Sequence, residues 1–527
     1  MDLLIRNGTI VDGSRAARYQ ADIAIQGDRI TQVGDLSSTE ATTTIDASGK
    51  VIAPGFVDVH NHSDAWLLKT PHLFSKTTQG FTTEVIMADG ISYAPINRNT
   101  AHEWIYYLRT LNALRYEEYT GWETLADYMT LLDGKNVQNC ITHIPYANVR
   151  TLACGWGKAP PDDYQMRLIV SEIEKGMEAG AVGLSTGLDY IAQCFSSTDE
   201  LIEACLPMVA QQGLYVTHMR YKKGTMTGLR EAVEIGKRAG VPVHISHLKG
   251  RSVAETEQIL NYIDNVAVNE VDFSFDVYPY MPGSTMLNYL LPYEVWESGP
   301  LGVIAHLKRP EIREQFGKSL QSLPLNTTHI AWVAGKENSH HQGKQLSDYA
   351  DEIGLPPADA LCNLLIEENL MVLLVLSDGD DQMIEPFLAH KCYMMGSDGI
   401  FHEGPPDDHS VIHPRQYGSA TRLLAHCVRD YPLFSLEEAI YKLSGYPAQR
   451  FGLTQRGQVQ EGWFADLTIF DPYDVQDWAT YENPHQYSVG IQHVLVNGVP
   501  IIRDSKPVEG IVAPMPGRSL KFKQAMS

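Results

Sequence analysis

Two histidines separated by one residue follow an apolar run near the start of the sequence. In the segment GFVDVHNHSD, the run leads directly into His60 and His62. Because alternate residues of a β-strand project to the same side, both imidazoles would face one point, and neutral imidazole is the commonest protein ligand for a metal ion. The pattern alone is weak evidence, since ordinary surface or core histidines also produce it.

Three further polar side chains end apolar runs later in the sequence. They are His218 in YVTHMRY, His247 in VHISHLKG and Asp398 in YMMGSDG. In a barrel of parallel strands, active-site residues lie at the carboxyl ends of the strands, where they meet on one face. These residues, together with His60 and His62, therefore predict a metal-dependent active site. Four other histidines lack this placement and are interpreted as surface or lid residues: His340, His341, His402 and His409.

The elements that must position these side chains are short apolar runs that alternate with helical patterns. Such alternation is typical of βαβ units, and eight parallel strands close a (β/α)₈ TIM barrel. The segment from about 283 to 390 is too long for one crossover helix, so we predict an insertion near the mouth of the active site, where such segments often shape specificity. The eight predicted strands are residues 55–60, 83–88, 140–144, 181–185, 214–218, 242–247, 272–277 and 392–397.

Both ends of the chain differ from this central pattern. Residues 2–52 and 457–503 contain short β-type runs separated by turn dipeptides such as NG and GD. The two ends are therefore predicted to form one small β-sandwich domain, made of residues 1–54 and 457–527. The catalytic barrel would then comprise residues 55–456.

Composition excludes several other classes of protein. The net charge of −23 over 527 residues would repel a phosphate backbone, so we expect no nucleic-acid partner. Charged residues interrupt every apolar run before it could span a membrane, and the N-terminal residues lack the pattern of a secretory signal. We therefore expect a cytoplasmic protein without a membrane partner. Its seven cysteines never occur as CxxC, which argues against a disulfide framework or a cysteine-rich zinc site.

The order of motifs resembles the amidohydrolase superfamily, and most closely its D-aminoacylase (N-acyl-D-amino-acid deacylase) family, over nearly the whole chain. The motifs are GFVDVHNHSD, GLSTGLDY, THMRYKKG, ISHLKG, DVYPY, GSDG and HPRQYGS. The resemblance implies a metal-dependent enzyme that hydrolyses the amide bond of a small-molecule N-acyl-D-amino acid. It also implies that Asp398 is the catalytic acid and base. The metal ligands that it implies are His60 and His62 at one position and His218 and His247 at the other.

The same resemblance suggests four residues that bind the substrate. Tyr190 of GLDY, Lys249 of HLKG and Ser284 of PGST would contact the carboxylate or carbonyl of the substrate. Arg415 of HPR would add positive charge. The alternative for each of the four is a residue at the rim of the barrel with a local hydrogen bond only.

One departure from the family pattern bears on the metal site. The second strand of D-aminoacylases typically ends in a turn whose cysteine binds metal, whereas this chain has Asp89 in MADG. A carboxylate can bridge two cations and favours harder metals than a thiolate does. We therefore expect Asp89 as a ligand of Zn²⁺, with one or two ions per chain and Mn²⁺ as the alternative, unless this side chain points elsewhere.

Two other functions stay open at this stage. A cyclic-amide hydrolase of the hydantoinase or dihydroorotase type often carries a bridging carboxylated lysine, but no lysine ends the predicted fourth strand AVGLST. A non-catalytic scaffold derived from such enzymes would have lost its ligands, whereas four histidines and Asp398 are present.

Overall fold

The computed structural model describes residues 1–112, 114–377, 379–400 and 410–523. Strands occur at both ends of the chain and at intervals between them. In chain order they are β1 Leu3–Ile10, β2 Tyr19–Gln26, β3 Arg29–Gly34, β4 Thr43–Asp46, β5 Val51–Pro54, β6 Phe56–Asp58, β7 Phe81–Ile86, β8 Asn139–Thr142, β9 Ile144–Pro145, β10 Gly183–Gly187, β11 Leu214–His218, β12 Val243–Ile245, β13 Phe273–Val277, β14 Gly283–Met286, β15 Thr328–Val333, β16 Val372–Leu376, β17 Tyr393–Met395, β18 Leu467–Phe470, β19 Ile491–Val496, β20 Val499–Arg503 and β21 Lys506–Pro507.

The α-helices lie mainly between the strands of the central part of the chain. In chain order they are α1 Asp64–Lys69, α2 Phe74–Thr77, α3 Ala101–Asn112, α4 Leu125–Leu132, α5 Tyr146–Cys154, α6 Asp163–Ala179, α7 Thr198–Cys205, α8 Thr225–Ala239, α9 Val253–Tyr262, α10 Val268–Glu270, α11 Val303–His306, α12 Pro310–Leu320, α13 Leu346–Ile353, α14 Pro357–Glu367, α15 Glu385–Ala389, α16 Arg415–Leu424, α17 Leu436–Ile440 and α18 Tyr446–Arg450. Local sequence explains where several begin: Asp162 and Ser197 cap α6 and α7 by accepting a hydrogen bond from a backbone N–H of the first turn.

The central strands form a closed parallel barrel. β6, β7 and β8 pair in one sheet, and β9 to β13 and β17 pair in a second sheet. β8 and β9 are separated by a single residue, and a parallel bridge between Asn61 and Gly399 closes the ring. Every residue of β7, β10, β11 and β13 is buried, as expected for strands that are covered on both faces. All eight predicted barrel strands overlap observed ones, so the predicted TIM barrel is confirmed.

A long segment separates the last two barrel strands. Between the end of β13 and the start of β17, the chain forms a separate antiparallel sheet in the order β14, β16, β15, together with helices α11 to α15. The predicted boundaries of the insertion, at about 283 and 390, stay a prediction. Part of this segment forms one wall of the cavity described below.

The two ends of the chain share one nine-stranded sheet. Its order is β21, β20, β19, β18, β5, β1, β2 and β3, with β4 paired to β1. Strand β18 pairs antiparallel to β5, and so joins the C-terminal strands to the N-terminal ones. A separate apolar core that includes Ile5, Ile23, Ile52 and Leu467 lies against this sheet. The small β-domain expected from both termini is thus present, while its exact boundaries stay a prediction.

The described residues include no helix with both the length and the apolar character that a membrane crossing requires.

Candidate metal centre

Five of the predicted site residues lie at the carboxyl ends of barrel strands. His60 and His62 follow β6, His218 ends β11, His247 follows β12, and Asp398 follows β17. Because the strands are parallel, these ends meet on one face of the barrel. The structure therefore brings together side chains that are far apart in sequence.

Asp89 lies between the histidines. It follows β7 in a short turn, and its Oδ1 lies 3.5 Å from Nε2 of His60. Its Oδ2 lies 3.6 Å from Nε2 of His62 and 3.9 Å from Nε2 of His247. A single carboxylate thus faces ligand atoms from both predicted histidine pairs, which is the placement that a bridging ligand requires.

The second histidine pair and Asp398 complete the cluster. Nδ1 of His218 lies 3.0 Å from Nε2 of His247. Oδ1 of Asp398 lies 3.2 Å from Nε2 of His62 and 3.6 Å from Nε2 of His60. Three overlapping groups have all ligand atoms within 4.8 Å of one another: His60, His62 and Asp89; Asp89, His218 and His247; and His60, His247 and Asp398.

Three of these residues have backbone conformations in the left-handed region. The φ angles are 56° for Asp89, 39° for His247 and 48° for Asp398. Such angles are uncommon for residues other than glycine and cost free energy that the surrounding structure must offset. Because all three residues follow converging strands, the fold keeps these side chains directed at one point despite this cost.

A buried carboxylate behind the cluster orients two of the histidines. Oδ2 of Asp276, in β13, lies 3.3 Å from Nδ1 of His60 and 3.0 Å from Nε2 of His244. Its Oδ1 accepts a hydrogen bond of 2.9 Å from the backbone N–H of His247. A carboxylate on one ring nitrogen leaves the other nitrogen of His60 available to a metal. Asp276 was not among the predicted site residues, although a charged residue inside the apolar strand FSFDV was a usable signal.

The charges in the cluster shift its pKa values. Burial by itself lowers the pKa of His60, but the carboxylates of Asp276, Asp89 and Asp398 raise it well above its usual value. Burial acts in the opposite direction on acids, yet His60 holds the pKa of Asp89 well below the usual range. The pKa of Asp398 is also lowered, because the positive charges of Arg415 and His60 outweigh the effect of burial. The carboxylates are therefore ionised at neutral pH, the state in which they bind cations.

The residues present fit a divalent metal ion. Nε2 of His60 and Oδ1 of Asp89 are both fully buried, and neither has a hydrogen-bond partner among the described residues. Leaving such atoms unpaired costs free energy, and buried polar groups without partners mark places where an ion or water belongs. Imidazole nitrogen and carboxylate oxygen are the ligands that Zn²⁺ takes in hydrolases.

All members of this cluster except His60 line a cavity of about 880 Å³. Tyr190, Lys249 and Ser284, which the sequence predicted to bind the substrate, all line it. Nζ of Lys249 donates to the hydroxyl of Tyr278 at 2.7 Å and to the backbone carbonyl of Met281 at 2.9 Å. These contacts hold the ammonium group at the cavity wall.

The other two members of this set already have partners inside the protein. Oγ of Ser284 donates to the carbonyl of Leu374 at 2.7 Å, and the ring of Tyr190 packs against His218 at a centroid distance of 4.7 Å. These internal contacts do not test whether Ser284 and Tyr190 bind the substrate, so that role stays a prediction.

Arg415 lies elsewhere. Its side chain is only 1% exposed, does not line the cavity, and forms an ion pair of 2.8 Å with Oδ2 of Asp398. Its NH2 group donates to the carbonyl of Ser284 at 3.2 Å. The structure thus places Arg415 behind the carboxylate rather than in the cavity, and its predicted contact with the substrate stays a prediction.

The four histidines that were interpreted as surface or lid residues are distributed differently. His340 is exposed, whereas His341 is 4% exposed and packs against Tyr349. The nearby carboxylate of Glu352 already forms an ion pair with the ammonium group of Lys344. His402 and His409 lie outside the described residues.

Several known proteins match nearly the whole chain, and one family model matches part of it. Residues 391–502 match the Amidohydrolase family. D-aminoacylase from Alcaligenes xylosoxydans xylosoxydans is 34% identical over 95% of this chain and 94% of that protein. N-acyl-D-glutamate deacylase from the same organism is 31% identical over 99% and 96% of the respective chains. The solved structure of N-acyl-D-glutamate deacylase from Bordetella bronchiseptica, complexed with zinc and a phosphonate mimic of the tetrahedral intermediate, covers 99% of both chains with 30% identity and a TM-score of 0.83.

This chain therefore belongs to the amidohydrolase family. Within that family its sequence and structure are similar, along nearly the whole chain, to D-aminoacylases and N-acyl-D-amino-acid deacylases.

Proposed function

We propose that this protein is a metal-dependent deacylase that hydrolyses the amide bond of N-acyl-D-amino acids and releases a carboxylate and a free D-amino acid. The observation that carries this proposal is the convergence of two histidine pairs on Asp89 beside Asp398, within one cavity. Relatives named for this reaction match nearly the whole chain, which supports the choice of substrate.

The proposed metal ligands are His60, His62, Asp89, His218 and His247. Zn²⁺ is the ion that we propose first, since a related deacylase was solved with zinc, and Mn²⁺ is the alternative for a site with a carboxylate ligand. Such an ion supplies Lewis acidity to the amide carbonyl and lowers the pKa of a water molecule toward about 7. Asp276 and Asp189 hold the histidine rings from behind, with each carboxylate on one ring nitrogen.

Asp398 is the proposed acid and base. Hydrolysis of an amide requires removal of a proton from the attacking water and delivery of a proton to the departing nitrogen. Oδ1 of Asp398 faces the cluster, and its Oδ2 is held by Arg415. The arginine fixes one oxygen and keeps the group ionised, and the other oxygen, which faces the cluster, would accept and then release the proton.

Residues of the cavity wall would hold the substrate. We propose that the ammonium of Lys249 pairs with the carboxylate of the amino acid and that Ser284 assists it by a hydrogen bond. The hydroxyl of Tyr190 would stabilise the oxyanion that forms as the carbonyl is attacked.

One wall of the cavity indicates which substituents of the substrate would fit. Residues of the long segment between β13 and β17 supply a group of apolar side chains to the cavity: Leu290, Leu291, Pro292, Leu320, Leu323, Pro324 and Leu376. Apolar walls bind apolar groups because burial removes both surfaces from water. We therefore propose that an uncharged, hydrophobic substituent of the substrate lies against this wall.

The cyclic-amide hydrolases that the sequence left open are less well supported. β10, the strand after which a bridging lysine would be sought, reads GLSTG and contains none. The carboxylate of Asp89 occupies the position between the histidine pairs instead.

A turnover panel tests the proposal. Purified zinc-loaded protein is assayed with matched D and L enantiomers of N-acetyl and N-formyl amino acids, and with hydantoin and dihydrouracil. Release of the free D-amino acid, with the L enantiomer and the cyclic amides hydrolysed much more slowly, is expected. Preference for a cyclic amide or for L substrates would refute the proposed substrate class.

A further inference from the structure

We propose that residues 287–296, which lie between β14 and β15, position the metal ligand His218 through the buried carboxylate of Asp189. This inference rests on the proposed function, since it concerns a ligand of the proposed metal. It assigns Asp189, Tyr289 and Tyr293 as positioning residues that link one cavity wall to the metal centre.

The first contact in this chain joins Asp189 to His218. Nε2 of His218 lies 3.4 Å from Oδ2 of Asp189, while Nδ1 faces Nε2 of His247 at 3.0 Å. A carboxylate beside one ring nitrogen places the proton there and leaves the other nitrogen as the donor to a metal. Asp189 thus selects Nδ1 as the metal-facing atom of His218 and fixes the plane of the ring.

The second contact joins Asp189 to the segment 287–296. The hydroxyl of Tyr289 donates to Oδ2 of Asp189 at 3.2 Å, and the hydroxyl of Tyr293 donates to Oδ1. Asp189 is 2% exposed, so both hydrogen bonds are shielded from water. Because a buried carboxylate requires partners on both oxygens, loss of the tyrosine hydroxyls would remove the hydrogen bond to Oδ1 and one of those to Oδ2, and would loosen the carboxylate.

Lys222 fixes the same segment from the barrel side. Its backbone N–H donates to Oδ2 of Asp189 at 3.1 Å. Its ammonium donates to the carbonyls of Tyr289 at 2.5 Å and Leu291 at 3.2 Å, and lies 4.6 Å and 4.9 Å from the ring centres of Tyr289 and Tyr293. A carboxylate and an ammonium group from loops of the barrel therefore both hold residues 289–293.

The segment also touches the space that the substrate would occupy. Residues 289 to 293 all line the cavity, as do His218 and Tyr190. The same backbone that forms the apolar wall thus holds the carboxylate that orients a metal ligand. Since coupling between two sites is reciprocal, metal binding should stabilise this segment, and loosening of the segment should weaken metal binding.

The test removes only the hydroxyls or the charge. The variants are the double substitution Tyr289→Phe with Tyr293→Phe, and Asp189→Asn. The matched control is Tyr349→Phe, which removes a hydroxyl from a buried tyrosine in α13, away from Asp189. Zn²⁺ affinity is measured by competition with a chromophoric chelator, and hydrogen exchange of residues 287–296 is measured in metal-free and zinc-loaded protein.

The expected result has two parts. The double variant and Asp189→Asn should bind Zn²⁺ about 10 to 100-fold more weakly, the usual effect of removing a group that orients a metal ligand. Zinc should slow hydrogen exchange of residues 287–296 in the wild type and in Tyr349→Phe, and this protection should be reduced in the other two proteins.

Two results would overturn the inference. One is unchanged Zn²⁺ affinity in a folded double variant, and the other is a segment whose hydrogen exchange does not respond to zinc in the wild type. If either occurs while the wild type still binds zinc and releases D-amino acids, only this inference fails. If the wild type binds no zinc, the proposed function fails with it. Should Asp189→Asn not fold, the double variant decides the question, because phenylalanine keeps the ring packing.

Discussion

The guanidinium of Arg415 lies 2.8 Å from Oδ2 of Asp398, and both side chains are almost completely buried. Burial by itself raises the pKa of a carboxyl, but Arg415 is the largest of the influences that lower the pKa of Asp398 below its usual range. The pair therefore keeps the proposed base ionised and holds one of its oxygens in place.

Removal of this positive charge should shift the dependence of activity on pH. Asp398 must be ionised to accept a proton, so activity is lost as the pH falls through its pKa. Arg415→Gln removes a charge that lowers this pKa, and the acidic limb of kcat/KM should therefore move to higher pH. Arg415→Lys keeps the charge and should retain more of the wild-type profile. Acidic limbs that coincide in the wild type and Arg415→Gln would contradict this prediction.

Substitution of Asp398 separates proton transfer from metal binding. Asparagine keeps the shape of the side chain but cannot carry the proton, and proton transfer by a positioned group is worth about 10² to 10⁴-fold in rate. Asp398→Asn should therefore lower kcat by at least about 10²-fold, while the protein retains most of its metal. Turnover and metal content are measured on one sample, and near-normal turnover would refute the role of Asp398.

Asp89 departs from the family pattern at the metal site, and its role can be tested by metal content. Its two oxygens face His60 and His62 at 3.5 Å and 3.6 Å. Asp89→Ala should lower the number of metal ions bound per chain, and Asp89→Cys should restore binding with a stronger preference for thiophilic ions. Normal stoichiometry and rate in Asp89→Ala would show that this carboxylate is not a ligand.

The strand ends were predictable from sequence because parallel strands place their carboxyl ends on one face. An apolar run that stops at a histidine or aspartate, as before His218 and Asp398, is a local signal. The barrel follows from repetition of such runs, and its observed strands overlap the predicted ones. The predicted and observed strand bounds differ by a few residues; for example, β6 ends at Asp58, whereas the predicted strand ends at His60.

The supporting contacts were not predictable in the same way. Asp189 meets Tyr289 and Tyr293 across about a hundred residues of sequence, and no local pattern indicates that pairing. The motif HPR indicated a positive charge at Arg415, but no local pattern indicated that this charge pairs with Asp398. Positions of strand ends follow from local sequence, whereas the direction of a long side chain depends on the packed structure around it.

A buried histidine inside the barrel should make the fold sensitive to acid. Burial, and then the positive charges of His244 and His60, lower the pKa of His143 to about 3 from its usual 6.5. The unfolded chain therefore binds a proton below pH 6.5 that the folded chain does not, so stability falls as the pH decreases through this range. Between pH 6.5 and 5 the contribution is about 2 kcal/mol.

His143→Gln should remove this part of the dependence on pH. The midpoint of thermal unfolding is measured at pH 7.5 and pH 5 for the wild type, for His143→Gln and for His340→Gln, a control at an exposed histidine. The decrease in the midpoint should be smaller in His143→Gln than in the other two proteins. Equal decreases in all three would contradict the assignment of a neutral buried imidazole.

The clustered histidines and Asp89 are proposed to hold a metal ion that hydrolysis of N-acyl-D-amino acids requires. The most direct measurement is turnover of the best D substrate by one protein preparation as purified, after removal of metal with a chelator, and after titration with Zn²⁺, with metal content determined at each step. Activity should disappear with the metal and return in proportion to the zinc bound, up to one or two ions per chain. Undiminished release of the D-amino acid by protein shown to be free of metal would contradict this proposal.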